Sequence, residues 1–155
     1  MPADSDRPQV AVPAPFVYTA FLVGALLLHR ILPLPAPLAP AAWLAGGIGV
    51  LLGLGLSAGA LWRMIRLQTS PSPHRPSTAL VTDGPYRFTR NPIYLGFLLV
   101  FLGASYAFGT LWGIVLAPVI PFAINRLIIS AEETYLESRF SSHYTDYKLR
   151  VRRWL

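Results

Sequence analysis

The sequence contains no cysteine, which excludes disulfides, thiolate metal ligands and cysteine nucleophiles. It is also short of charge. Asp, Glu, Lys and Arg together make 13% of the chain, about half the roughly 25% usual in soluble domains. Acids are scarcest, at seven. Three histidines lie one to a segment, without ligand-like spacing, so no metal site is expected. The charge is missing in blocks: Pro8–His29, Ile31–Trp62 and Asn91–Asn125 carry none. A membrane-crossing helix needs roughly 20 apolar residues. The runs therefore exclude a soluble domain with one large core and predict an all-α, polytopic membrane protein. The excess of basic over acidic residues, 13 to 7, is assigned to helix flanks rather than to nucleic acid.

What is present falls into an order. Residues 1–13 begin Met-Pro-Ala-Asp-Ser-Asp-Arg-Pro, a poor positive n-region, so no cleaved signal is expected and this segment reads as a flexible N-terminus. Residues 14–155 read as one membrane domain with four transmembrane helices, at about 14–32, 38–61, 91–107 and 110–129. His29 and Arg30 sit at the interfacial end of the first, and Pro33, Pro35 and Pro37 make a stiff turn. The second holds the small-x-x-x-small pairs Gly49/Gly53 and Gly55/Gly59, which let helices approach and suit a homodimer. Gly47-Ile48-Gly49 with Gly53 is not a dinucleotide fingerprint, because no strand precedes it. A polar loop, 66–90, comes next, with Pro71, Pro73 and Pro76 forbidding a long helix. The break between the last two spans is expected at Gly103–Gly109, with a kink at Pro118 and Pro121. Residues 130–155 form a helical extension outside the membrane with a basic aromatic tail. His74 and His143 read as exposed loop residues.

With four spans, the N-terminus, the 66–90 loop and the C-terminal segment share one face, and every Lys and Arg except Arg30 lies there. The positive-inside rule makes that face cytoplasmic and predicts an inner (cytoplasmic) membrane protein. Two polar groups converge on it. One is Leu80–Tyr94, rich in Arg, Tyr and Pro. The other is Glu132-Glu133, just past the last span. On a continuous helix residues seven apart share a stripe, which puts Asn125 beside Glu132 and pairs Arg126 with Glu133.

Leu80-Val-Thr-Asp-Gly-Pro-Tyr-Arg-Phe-Thr-Arg-Asn-Pro-Ile-Tyr-Leu-Gly96, an uncharged hairpin, Glu132-Glu133-x-x-Leu136-x-x-x-Phe140 and Tyr144-x-x-Tyr147-x-x-x-Val151 together resemble the isoprenylcysteine carboxyl methyltransferase and phospholipid methyltransferase superfamily. These are integral membrane enzymes that use S-adenosylmethionine. The likeness covers Thr78–Leu155. It implies cofactor contacts from Thr78, Ala79, Leu80, Val81 and Tyr86, from Asn91, Pro92, Ile93 and Tyr94 of an Arg-His-Pro-x-Tyr box, and from Glu132. It implies catalytic roles for Arg90 and Asn91, and points to Asn125 and Arg126 for the substrate. Glu132 suits the cofactor ammonium, Arg90 or exposed backbone amides at a helix start its carboxylate, and Tyr86 or Tyr94 its adenine or sulfonium. The sequence departs from the pattern at three places. Asn91 replaces the box histidine and cannot titrate near neutral pH. Ile128 stands where prenylcysteine enzymes carry a substrate arginine. Val151-Arg152-Arg153 replaces Val-Pro-Arg. The implied reaction is methyl transfer to a lipophilic or small membrane-accessible carboxylate, thiol or amine, with the bilayer as partner. The alternatives are a nicotinamide-dependent membrane reductase of the sterol reductase type, or a non-enzymatic membrane scaffold.

Overall fold

A proline stands at or beside the start of each of the first three long helices, where its missing N–H costs nothing and its fixed φ suits the first turn. In the computed structural model, which describes residues 10, 12–35, 40–71 and 75–155, these are α1, Ala14–Ile31, α2, Pro40–Arg66, and α3, Pro92–Ala107. A 3-10 turn at Gly84–Arg87 precedes α3. Then come α4, Trp112–Leu116, α5, Val119–Ile124, a π turn at Asn125–Ile129, and α6, Ser130–Arg150. Among the described residues the one extended pairing is a single antiparallel bridge between Pro35 and Thr110, so the fold is all-α. The flexible segment expected at 1–13 falls mostly outside the described residues, as do His74 and the expected start of the second span at Leu38.

Among the described residues three helical stretches are long and apolar enough to cross a membrane: Ala14–Ile31, Ala41–Arg66 and Trp112–Arg150. The expected third span, 91–107, is the 16-residue α3, about 24 Å long at 1.5 Å per residue against roughly 30 Å of hydrocarbon. The expected fourth, 110–129, runs on into the helical extension α6, as the continuous helix past Arg126 implies. It is broken at Ala117–Pro118, where proline removes a backbone donor. His143 is exposed but lies within α6 rather than in a loop.

Glycines line the seam between α2 and α3. A Cβ on Gly46 would lie 2.6 Å from Gly103 O, and one on Gly49 would lie 3.2 Å from Gly103 Cα. One on Gly53 would lie 2.8 Å from Val100 N. These glycines let α2 and α3 touch backbone to backbone, and Ser57 Oγ donates to Ile93 O at 3.2 Å across the seam. Gly49 and Gly53, expected to serve a dimer, are thus taken up inside the chain, while Gly55 meets nothing. One apolar cluster joins α1, α3, α5 and the π turn through Val17, Tyr18, Phe101, Ile120, Ile124 and Ile128. At one end of the bundle Leu111 N donates to Leu34 O and Trp112 Nε1 to Leu32 O, and His29 Nδ1 accepts from Leu34 N. The polar loop and the last residues meet at the other end.

Candidate functional site

The polar end is built on the tip of α2. Arg63 Nε donates to Asp83 Oδ1 at 2.7 Å, and a second guanidinium nitrogen pairs with Oδ2. This pins the turn that begins at Gly84, whose φ of 59° is left-handed and favours glycine. The turn buries Tyr86, which joins Ala60, Val81, Tyr144 and Tyr147 in a second apolar cluster. Burial first, then Tyr147 and Glu132, push the Tyr86 phenol above its usual range, so it stays a neutral hydroxyl. Upstream, the buried Thr69 Oγ1 accepts from Thr78 N at 3.1 Å and Ala79 N at 3.4 Å, and Tyr135 OH accepts from Ser77 N at 2.9 Å. These bonds hold the strip before the turn.

Past the turn, a strap formed by Val151–Trp154 lies against the start of α3. Arg90 N donates to Arg152 O at 2.9 Å. Thr89 Oγ1 and Asn91 Nδ2 both donate to Arg153 O, at 3.0 and 2.9 Å. Tyr147 OH donates to Tyr86 O at 2.6 Å. The strap reaches this place because α6 bends at Ser141, where φ 46° and ψ −120° interrupt the helix. An ion pair between Glu137 and Lys148 bridges the bend.

The two glutamates are partnered differently. Glu132 Oε1 accepts from Tyr94 OH at 2.6 Å, and Tyr18 OH from α1 fixes Tyr94 through its carbonyl at 2.7 Å. Glu133 receives Arg90 Nη1 at 3.2 Å and Arg153 Nε at 3.1 Å, with a second Arg153 contact on Oε2. The expected pairing of Glu133 with Arg126 is not formed.

Between these groups lies a cavity that is open at its mouth. Of the residues singled out from sequence, Ala79, Leu80, Val81, Tyr86, Arg90, Asn91, Pro92, Ile93, Tyr94 and Glu132 line it. Thr78, Asn125 and Arg126 do not. Thr78 Oγ1 turns away to donate to Gln68 O. Asn125 Oδ1 accepts from Trp154 Nε1 at 3.3 Å, and the exposed Arg126 stacks 5.5 Å over the Phe122 ring. The cause is the π turn, which inserts one residue and rotates the downstream helix by about 100°. The seven-residue stripe expected of a continuous helix is thereby broken. Met64, Thr69, Ser77, Glu133, Tyr135, Tyr144 and Tyr147 line the cavity without having been singled out for it. Tyr135 stands one turn after Glu132 and was legible as its helical neighbour. Thr69 carries no local signal, because its role depends on the chain reversing after α2.

The donor set suits a ligand bearing both charges. Glu132 offers a carboxylate that takes a phenol hydroxyl, Arg90 offers a guanidinium whose Nε is buried without a hydrogen bond, and five tyrosines supply aromatic faces. A sulfonium amino acid such as S-adenosylmethionine fits that set.

A family model for phospholipid methyltransferases matches residues 41–143, from the start of α2 to beyond Ser141. A stretch of 72 residues is 35% identical to protein-S-isoprenylcysteine O-methyltransferase of Schizosaccharomyces pombe, covering 46% of this chain and 30% of that protein. A stretch of 63 residues is 40% identical to an uncharacterized protein of Haemophilus influenzae, covering 41% of this chain and 100% of that one. The match thus spans less than a third of the yeast relative's length. No solved structure matches the chain.

Proposed function

Since the chain belongs to the phospholipid methyltransferase family, we propose that it moves a methyl group from S-adenosylmethionine to a lipophilic acceptor that arrives from the bilayer. The observation that carries this reading is the meeting of Tyr94–Glu132 and Arg90 in one tyrosine-lined cavity beside apolar helices. The cofactor supplies an electrophilic methyl on a sulfonium. Side chains of the cavity bind and orient it. Glu132 takes the ammonium with the carboxylate oxygen that Tyr94 leaves free, Arg90 takes the carboxylate, and Tyr86 and Tyr94 present ring faces to the cation or the adenine. Ala79, Leu80, Val81, Pro92 and Ile93 supply the walls. Asn91 holds Arg153 O and has no proton to exchange near neutral pH, so its part in the reaction is to shape the site. Rate enhancement then rests on proximity and alignment. That suits an acceptor already nucleophilic, such as a carboxylate, thiolate or amine.

The basic residues gathered at this end support a cytoplasmic placement of the site in an inner membrane. Calorimetry of the purified chain in detergent with S-adenosylhomocysteine is expected to show one binding site. No heat at millimolar ligand in a folded sample would sink the proposal. The acceptor class is found by mass spectrometry of lipids from cells with and without the protein, read as a gained methyl.

A further inference from the structure

Arg90 is a poorly satisfied group for one so enclosed. Its side chain is 11% exposed. Nε is buried with no hydrogen bond, and Nη1 meets Glu133 Oε1 at 3.2 Å as an ion pair without hydrogen-bond alignment. Buried guanidinium donors left unfilled are costly, and a long side chain so held needs a fixed partner. Glu133 is the charged partner, beside a hydrogen bond between the guanidinium and Tyr144. Its carboxylate is 9% exposed and also grips Arg153, whose carbonyl accepts from Thr89 and Asn91.

Two cations on one carboxylate leave an excess positive charge at the cavity wall, and the same carboxylate joins that wall to the strap. We infer that Glu133 is a positioning residue: it aims Arg90 at the anionic group of the cofactor, and through Arg153 it keeps the strap docked, so that the anion-binding half of the cavity exists only while the strap is closed. This rests on the reading of the cavity as an S-adenosylmethionine site. It adds that recognition of the amino-acid carboxylate is set by a residue expected not to touch the ligand.

Two ligands separate positioning from general support. S-Adenosylhomocysteine carries the amino-acid carboxylate, and 5′-methylthioadenosine lacks it. Glu133→Gln keeps the shape and removes the charge. Calorimetry is expected to show at least a tenfold loss of affinity for S-adenosylhomocysteine and less than a twofold change for 5′-methylthioadenosine. Arg153→Ala, which leaves the Arg90–Glu133 pair in place, is expected to weaken S-adenosylhomocysteine in the same selective way. The double variant is expected to be no worse than Glu133→Gln alone, because coupled residues are not additive. Hydrogen exchange on the ligand-free protein reads the latch independently: the Arg90 amide, bonded to Arg152 O, should exchange at least tenfold faster in both variants. Equal losses for the two ligands, or an unchanged Arg90 amide, overturn the inference. If the unaltered chain binds neither ligand, the cofactor reading fails, and the exchange result alone decides the latch.

Discussion

Two adjacent glutamates meet different fates. Glu133 is held by two guanidinium groups and Glu132 by one phenol. Coulomb attraction for an incoming cation is therefore screened at the first and left intact at the second, which is why ligand contact is assigned to Glu132. Glu132→Gln is expected to weaken S-adenosylhomocysteine about tenfold or more, roughly 1.4 kcal/mol. Tyr94→Phe, which deletes only one hydrogen bond, is expected to cost about 0.5–1.5 kcal/mol. Both are measured by calorimetry, and a larger effect from Tyr94→Phe would reverse the assigned roles. At this scale the sequence was legible where neighbours in the chain stay neighbours in space. Ala79, Leu80, Val81, Tyr86 and the run from Arg90 through Tyr94 reach the cavity, and Glu132 joins them. It was illegible at Asn125 and Arg126, because one inserted residue in the π turn rotates a helix with no mark in composition. Tyr144 and Tyr147 were visible as a motif, but their place beside Tyr86 depends on the bend at Ser141, a residue type that forecasts no left-handed φ.

Among the elements, the pair α2 and α3 is the frame from which the site hangs, because α2 carries Arg63 and Met64 at its tip and α3 begins at Pro92. Its glycines discriminate by face. Gly53→Ala forces a Cβ against the α3 backbone near Val100 N and is expected to destabilise by about 1–3 kcal/mol, as overpacking does. Gly55→Ala meets nothing and is expected to be neutral or to stabilise by up to about 1 kcal/mol through helix propensity. Thermal unfolding in detergent checks both, and equal effects would mean that the seam is not where stability resides. Sequence alone exposed the small-residue spacing but not its partner, since a glycine face suits a neighbouring helix of the same chain as well as one from another copy. The length of α3 was likewise readable, and so was the passage of the last apolar stretch into α6, whereas the π turn within that passage was not.

For the whole molecule, the testable quantity is which end faces which compartment. The absence of cysteine makes this direct. Ser142→Cys, exposed near the cavity end, and Leu32→Cys, exposed at the far end, each introduce a single thiol. With an impermeant maleimide, Ser142→Cys is expected to label in inverted vesicles and Leu32→Cys in right-side-out ones. The reverse pattern would contradict the positive-inside assignment. The strap has one more consequence, in time rather than in space. Chains fold as they are made, earlier segments first. Arg153 is synthesised after every residue that lines the cavity, and its carbonyl binds Thr89 and Asn91 from more than sixty positions back. During synthesis the apolar helices are therefore complete before the strap is available to dock. The bond that completes the pocket is the last to be available, so a half-made chain carries an anchored scaffold and no finished site.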